Sequence, residues 1–304
     1  MEGQETLVVI NPVAGSVTDV QRYRTVIAER LAAVGWNCIF HETQPREDVA
    51  AVVRTACDRG ARLVIAVGGD GTIGEIVNGL VGTTVPLGIL PLGTGNLLAR
   101  ALGIPRKLEP ALHMLVNAPG TVGLDTMHMC GRHYVLNIGT GISAASIRDT
   151  RTAEKRRFGM LAYAWRIVGH VFSFRSYRFD LELDGQLRTV RATEVLVSNG
   201  AILETLPAVL GPPHTFRDGR VEVYVVNGRS LLDYIELLFR RVARRPDRHE
   251  QLRHISVSHT VSISARSKSR LVQGDGDVAG RTPITITVVP AAVQVIAFTS
   301  AAAE

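Results

Sequence analysis

Short apolar segments alternate with longer segments of helical periodicity through the first 125 residues of the chain. Each apolar segment has the length of a strand rather than of a helix, and turn residues follow it. This alternation is typical of a parallel sheet whose two faces are covered by helices. The sequence therefore predicts an α/β domain over residues 1–125. The predicted strands are Thr6–Ile10, Asn37–Glu42, Leu63–Val67 and Val85–Leu90, and the first two predicted helices span 17–34 and 45–60.

Glycine-rich loops follow three of these strands: NPVAG (Asn11–Gly15), GGDGT (Gly68–Thr72) and PLGTGN (Pro91–Asn96). Ligands of such sheets bind at the carboxyl ends of the strands. Glycines there permit sharp turns and close approach, and the N-terminus of the next helix favours an anion. Asp70, in the second loop, would repel a phosphate unless a cation lay between them. The loops therefore predict a site for phosphate together with a metal ion.

From about Met127 onward, apolar and polar residues alternate in short segments, the last two being PITITVV and VQVIAF. Asp184-Gly185 separates two such segments, which is a strong signal for a β-hairpin. The pattern predicts a mainly antiparallel β-sandwich over residues 126–290. The last strand, about residues 291–304, is expected to return to the first domain. Two helices are predicted to interrupt the sandwich, near Phe158–Phe174 and Ser230–Arg244.

Composition narrows the class of protein. Hydrophobic residues make up 46% of the chain and charged residues 20%, as in globular proteins. The three cysteines show no Cys-x-x-Cys spacing, so neither a zinc site nor a disulfide framework is expected. No apolar run is long enough for a signal peptide or a membrane-spanning helix. These features predict a cytoplasmic protein.

The formal net charge of +6 favours an anionic partner. Only 5% of residues are aromatic, and no basic stretch interleaves aromatic residues for base stacking, so nucleic acid is not the expected partner. Basic clusters could instead contact an anionic bilayer transiently. The clusters are Arg148–Arg157, Arg240–Arg248 and Arg266–Arg270.

Two glycine patterns match the dinucleotide-binding fingerprint only in part. Gly69-x-Gly71-x-x-Gly74 follows a predicted strand, but no acidic residue occurs between Glu75 and Glu109 to hold a ribose. Gly139-x-Gly141-x-x-Ala144 lies in the antiparallel half and lacks the strand–helix–strand context. No lysine follows the glycine loops, so a Walker A motif is absent as well.

The ordered set of motifs resembles the lipid kinases with a diacylglycerol kinase catalytic domain, including soluble bacterial lipid kinases and sphingosine kinases. The set begins with NPVAG and Thr43, continues with GGDGTIGEIVNGL and LPLGTGNLLAR, and ends with PITITVVPAAVQVI. Between these lie GLD (Gly123–Asp125), LNIGTGISA (Leu136–Ala144), RDGRVEV (Arg217–Val223) and QGDGD. The resemblance covers nearly the whole chain and implies an ATP-binding domain similar to those of phosphofructokinases and NAD kinases.

The resemblance implies ATP-dependent, Mg²⁺-assisted phosphorylation of a lipid hydroxyl at a membrane surface. Asp70 and Asp125 would anchor the catalytic Mg²⁺. Asp275 and Asp277, together with Asp70, would be the catalytic residues, the terminal pair accepting the proton of the lipid. Asp218, with the backbone carbonyls of Thr215 and Arg220, would hold a second, structural Mg²⁺. The implied ATP-binding residues are Asn11, Pro12, Gly15, Thr43, Gly68, Gly69, Asp70, Gly71, Thr72, Gly74, Thr94 and Asn96.

The chain departs from the family pattern at three positions. Leu97 stands where many members have Asp, Arg217 replaces a frequent acidic residue, and Asp277 replaces the usual Glu. An NAD kinase-like enzyme and a catalytically inactive lipid-binding protein therefore stay open as alternatives. The identity of the lipid is also open, since apolar pockets are built from interchangeable residues, and so is a homodimeric state.

Overall fold

The computed structural model describes residues 4–15, 19–118, 120–148, 175–200, 216–228 and 252–297. The chain divides into two compact units. The first comprises residues 1–124 together with 291–304, and the second comprises residues 125–290. The helices predicted near 158–174 and 230–244 lie outside the described residues.

The first unit is built on a parallel sheet. Its strands pair in parallel in the spatial order β2-β1-β3-β4, and Val8 of β1 lies opposite both Phe40 and Ile65. All residues of β3 and β4 are buried, as expected for strands covered on both faces. The sheet confirms the predicted α/β class. Its strands are β1 (Gln4–Ile10), β2 (Trp36–Glu42), β3 (Leu63–Gly68) and β4 (Leu87–Pro91).

Helices follow the strands of this sheet in the described part of the chain. The side chains of Asp19 and Asp48 cap the first two helices by accepting from backbone N–H groups, so both helices begin later than their periodicity suggests. A Cβ at Gly79 would lie 2.6 Å from the Cβ of Val53, so glycine permits the close packing of the two helices that contain these residues. The helices are α1 (Val20–Ala32), α2 (Val49–Asp58), α3 (Asp70–Leu80), α4 (Leu97–Ala101) and α5 (Leu108–Asn117).

The second unit is an antiparallel β-sandwich, which confirms the predicted class of this half. One sheet has the order β16-β13-β8-β9 and the other β12-β11-β10-β7-β14-β15. Side chains from both sheets, among them Phe179, Val223 and Ile286, form one buried core. The strands are β7 (Asn137–Gly141), β8 (Tyr177–Leu183), β9 (Gln186–Ala192), β10 (Glu194–Ser198), β11 (Val221–Val226), β12 (Leu252–Val257), β13 (Thr260–Ala265), β14 (Leu271–Gly274), β15 (Asp277–Arg281) and β16 (Ile284–Ile296).

Three further elements complete the described chain. They are β5 (Thr121–Met129), which pairs with β6 (Arg132–Tyr134), and the short helix α6 (Ile142–Arg148). No helix among the described residues is long and apolar enough to cross a membrane.

The end of the chain differs from the sequence prediction in one respect. The two predicted segments PITITVV and VQVIAF are one continuous strand, β16, with Ala291 in the left-handed region at φ 47°. Residues 284–290 of β16 belong to the sandwich unit, and residues 291–296 lie in the first unit, where Val295 pairs with Leu87 in parallel. The predicted hairpin is confirmed, because Asp184 and Gly185 join β8 to β9 with φ values of 46° and 80°.

Candidate active site

The three glycine-rich loops of the first unit meet at the carboxyl ends of their strands. The backbone N–H of Asn11 donates to the carbonyl of Val67 at 3.0 Å, and its side-chain amide donates to the hydroxyl of Thr72, also at 3.0 Å. The N–H groups of Leu92 and Gly93 both donate to the carbonyl of Gly68, at 2.8 and 3.2 Å. These bonds bring together loops that are far apart in the sequence.

Close backbone contact explains why glycine occupies several loop positions. A Cβ at Gly93 would lie 2.5 Å from the Cα of Gly69, and a Cβ at Gly15 would lie 2.9 Å from the Thr94 hydroxyl oxygen. A Cβ at Gly68 would meet the Thr72 side chain at 2.7 Å. Gly71 differs from these, because a Cβ there would have no atom within 4 Å. The space in front of Gly71 is therefore open at the start of α3.

Asp70 is the first residue of α3, after the cap residue Gly69, which provides no side-chain bond. One carboxylate oxygen of Asp70, Oδ1, accepts the backbone N–H of Leu98 at 3.1 Å. Burial raises the pKa of this carboxyl, although backbone N–H groups, led by that of Leu97, oppose the shift. The carboxylate of Asp70, which belongs to the second glycine loop, thus also holds the end of the third glycine loop in place.

Asn96 precedes α4 in a left-handed conformation, at φ 48°. Its side-chain amide donates to the carbonyl of Gly93 at 2.7 Å. Its Oδ1 atom is buried and has no hydrogen-bond partner among the described residues. A buried acceptor of this kind is expected to have a donor in the functional state.

Three further predicted nucleotide-binding residues of this unit differ in position and in burial. The N–H of Thr43 donates to the carbonyl of Ile10 at 2.9 Å, which places Thr43 beside the first loop. Pro12 is half-buried in the turn that follows β1. Gly74 is buried one turn inside α3, so it belongs to the helix and not to the loop.

In the second unit, Asp125 is joined to the segment that contains Asp218. The Asp125 carboxylate oxygen Oδ2 accepts the N–H of Gly219 at 2.7 Å, and the Asp125 N–H donates to the carbonyl of Phe216 at 2.8 Å. Asp125 is 2% exposed, whereas Asp218 lies on the surface and accepts the N–H of Arg220 at 3.1 Å. Thr215 lies outside the described residues. Within the described ranges, no three His, Cys, Asp or Glu side chains group as metal ligands.

Asp275 and Asp277 flank the turn between β14 and β15 but have different surroundings. The Asp275 carboxylate accepts three backbone N–H groups, from residues 135, 136 and 137, at 2.8 to 2.9 Å. Asp184 uses its carboxylate in the same way in the β8–β9 hairpin, where it accepts from residues 258, 259 and 260 at 2.9 Å. Asp277 is exposed at the start of β15. The contrast favours a positioning role for Asp275 and leaves Asp277 as the accessible carboxylate.

The structure also brings together polar residues that are not among the site residues predicted from the sequence. Glu194 accepts hydrogen bonds from the hydroxyl and the N–H of Ser143, at 2.5 and 3.0 Å. Gln273 donates to Asn137 at 2.6 Å and accepts the N–H of Gly276 at 3.1 Å. The available signal was the pair Gly139 and Gly141, which share one face of β7.

Comparison with known proteins agrees with this architecture. Residues 5–128 match the family described as the diacylglycerol kinase catalytic domain, and residues 137–297 match the YegS C-terminal NAD kinase beta sandwich-like domain. The fold and the glycine loops thus define a protein of the kinase class with an α/β domain and a β-sandwich. The chain belongs to the diacylglycerol kinase family that combines these two domains.

Individual relatives are distant but span most of the chain. A diacylglycerol kinase of Bacillus subtilis (strain 168) is 27% identical over 283 residues, covering 91% of this chain and 90% of the relative. A Staphylococcus aureus (strain JH9) protein named "Putative lipid kinase" is 25% identical over 240 residues, covering 77% of this chain and 76% of the relative. A crystal structure of a "putative diacylglycerol kinase" from Bacillus anthracis str. Sterne superposes with a TM-score of 0.82 at 22% identity, covering 99% and 98% of the two chains.

Proposed function

We propose that this protein is an ATP-dependent kinase that phosphorylates a hydroxyl of diacylglycerol or a related lipid. The observation on which this rests is the convergence of three glycine-rich loops, with open space in front of Gly71 and the Asp70 carboxylate beside it. Backbone N–H groups at such a helix N-terminus suit the phosphates of a nucleotide. The family relationship supplies the class of reaction.

The loops fit a nucleotide in several respects. Thr72 and Asn11 already bond to each other and are positioned to contact a phosphate or its hydration shell. The buried, unpartnered Oδ1 of Asn96 would accept a hydrogen bond from a ribose hydroxyl or from a water molecule. We assign the remaining binding roles to Pro12, Gly15, Thr43, Gly68, Gly69, Gly74 and Thr94.

The residues also fit a magnesium ion that arrives with the nucleotide. Magnesium is usually held by one or two carboxylates together with phosphates and waters. Asp70 offers one such carboxylate, which also accepts the backbone N–H of Leu98 through Oδ1. Asp125 is the second carboxylate that we assign to the ion. When bound, Mg²⁺ neutralises charge on the phosphates. We assign a separate, structural cation to Asp218 with the carbonyls of Thr215 and Arg220.

We assign the proton-accepting role to Asp277 and the positioning role to Asp275. Phosphoryl transfer depends mainly on positioning and charge neutralisation, with a carboxylate near the attacking hydroxyl. Asp277 is exposed to solvent, where a lipid hydroxyl would approach, whereas three N–H groups hold Asp275 in place. Asp275 therefore orients the turn that presents Asp277.

Transient association with an anionic membrane belongs to the same proposal, since the acceptor lipid is dissolved there. The net charge of +6 supports it. The described cluster at residues 266–270 supports it only in part. Arg266 bonds to Asp180 at 2.8 Å, and Arg270 lies 3.4 Å from the centre of the Tyr177 ring, while Lys268 is exposed. Most of the other two predicted clusters lies outside the described residues.

Transfer of labelled γ-phosphate from Mg²⁺-ATP tests the proposal. The acceptors are mixed-micelle diacylglycerol, sphingosine, a total bacterial lipid extract and NAD. Label in an organic-extractable lipid, lost in Asp70→Asn and retained in Asp58→Asn, is the expected result. Asp58 is a matched control because it is an exposed carboxylate of the same unit.

A second candidate function is phosphorylation of NAD, since the sandwich domain is described as NAD kinase-like. Label in NADP but in no lipid would establish that alternative. Label in neither acceptor, with a folded protein that binds vesicles, would instead support a catalytically inactive lipid-binding protein. The departures at Leu97, Arg217 and Asp277 motivate the third outcome.

A further inference from the structure

Three polar side chains converge over Gly139 on one face of the six-stranded sheet. A Cβ at Gly139 would lie 2.8 Å from the hydroxyl oxygen of Ser143 and 2.9 Å from both Gln273 Nε2 and Glu194 Oε1. The strand register explains the meeting, because Gly139 of β7 lies between Leu196 of β10 and Gln273 of β14. Any side chain at position 139 would separate the three groups.

One side chain, that of Gln273, connects this cluster to the turn that presents Asp277. Gln273 belongs to the cluster through its Nε2 atom, while its Oε1 atom accepts the N–H of Gly276. Helix α6, which begins with the residue before Ser143, packs against both β14 and β15. The cluster and the turn that carries the proposed base are therefore neighbours within the second unit.

Glu194 retains capacity for another donor. A carboxylate offers about four lone-pair sites. Oε1 accepts the Ser143 hydroxyl, Oε2 accepts the Ser143 N–H, and the backbone N–H of Ile142 also bonds to the carboxylate, which leaves about one site. Glu194 is half-buried, and among the described residues no Lys, Arg or His lies within ion-pair distance of it. Burial raises the pKa of Glu194 to about 7, against the opposing hydrogen bonds from Ser143 and from the Ile142 N–H.

The surroundings of Glu194 are amphipathic. Leu196 is two residues further along β10 and therefore on the same face. It packs with Tyr224 and Leu252, which are buried. Glu194 therefore places a polar group next to an apolar surface. This combination suits the head group of a lipid.

We propose that Glu194 and Ser143 form a head-group subsite that binds a hydroxyl or ammonium group of the acceptor lipid, distinct from the hydroxyl that is phosphorylated. The inference rests on the proposed lipid kinase function and specifies its substrate class. An acceptor with a second hydrogen-bond donor is bound better than one with a single hydroxyl. Charge-assisted hydrogen bonds to the carboxylate are the source of the discrimination.

Equilibrium binding without nucleotide tests the subsite independently of turnover. Isothermal titration calorimetry would compare dioctanoylglycerol, which has one hydroxyl, with monooctanoylglycerol and sphingosine, which have additional donors. Glu194→Gln is expected to weaken binding of the latter two at least about tenfold while leaving dioctanoylglycerol unchanged. Ser143→Ala should weaken the same two acceptors in the same direction. Glu182→Gln is the matched control, since Glu182 is exposed on the other sheet.

Equal affinities of Glu194→Gln and the unaltered protein for all three acceptors would overturn the subsite, and so would a uniform loss for all three. Ser143→Ala provides the deciding comparison if Glu194→Gln does not fold. The two proposals fail separately. Predicted discrimination in binding with no transfer of label would contradict the kinase and retain the subsite. Transfer of label with no effect of Glu194→Gln on acceptor preference would retain the kinase and reject the subsite.

Discussion

The carboxylate of Asp70 accepts the backbone N–H of Leu98 at 3.1 Å, which joins the first residue of α3 to the first turn of α4. The same carboxylate therefore has a structural partner as well as its proposed metal role. An amide at this position retains an oxygen acceptor but loses the charge, whereas alanine loses both. The two substitutions separate the two roles.

Asp70→Asn should lower the rate of phosphate transfer by at least about 100-fold, because the charge opposite the phosphates is lost. Its free energy of unfolding should change by less than about 0.5 kcal/mol, since Asn preserves the bond to Leu98. Asp70→Ala should also lower the free energy of unfolding, by about 1–2 kcal/mol, as the loss of a helix cap does. Transfer assays and urea denaturation measure the two effects. Unchanged turnover in Asp70→Asn would remove Asp70 from the catalytic role.

Gly71 and Gly93 should respond differently to alanine. A Cβ at Gly71 meets no atom within 4 Å, so Gly71→Ala should keep or slightly raise stability, by up to about 1 kcal/mol. Its affinity for ATP should fall at least about tenfold, because the methyl group occupies the space assigned to the phosphates. Gly93→Ala forces a contact of 2.5 Å with Gly69 and should cost about 1–3 kcal/mol. Calorimetry with ATP and thermal unfolding measure both. Normal ATP affinity in Gly71→Ala would place the nucleotide elsewhere.

The two acidic residues of the β14–β15 turn should separate stability from catalysis. Asp275→Ala leaves three backbone N–H groups without their acceptor and should lower the free energy of unfolding by about 2–4 kcal/mol. Asp277→Asn should leave stability nearly unchanged and reduce phosphate transfer by at least about 100-fold. Denaturation curves and transfer rates of both variants provide the comparison. Normal turnover in Asp277→Asn would show that Asp277 is not the base.

Glu194 predicts a pH dependence of stability. Its pKa is raised from 4.5 to about 7 in the folded protein, so the folded state holds its proton more tightly than the unfolded state. Its contribution to stability is therefore fully present below pH 4.5 and is lost as the pH rises through about 7. The full pKa shift corresponds to a loss of about 3 kcal/mol in the free energy of unfolding. The actual loss should be smaller, because Glu194 is partly exposed.

Glu194→Gln provides the test, since the amide does not titrate. The stability of the variant relative to the unaltered protein should rise between pH 4.5 and pH 7 and then level off. Urea denaturation at several pH values measures this difference. A difference that stays constant with pH would show that Glu194 titrates normally.

Much of the fold followed from local pattern. The apolar segment Leu63–Val67 followed by glycines predicted a buried strand and a loop at its carboxyl end, and β3 is buried along its length. Asp184-Gly185 predicted a hairpin, because few residue pairs adopt the positive φ values that a two-residue turn requires. Local conformational preference and periodicity were sufficient for these elements. The exception was β16, where Pro290 and Ala291 looked like an interruption but lie within one strand.

The sequence by itself determined the fold class, the glycine loops and the family, because each is read from segments and motifs whose own residues are close together in the chain. Only the tertiary structure decided how individual carboxylates are used. Asp275 accepts N–H groups from residues about 140 positions away, and Glu194 meets Ser143 across 51 positions. These contacts depend on the pairing of β7 with β10 and β14. The physical reason is that strand register, which is set by the packing of the whole sandwich, determines which distant donor lies opposite each acceptor.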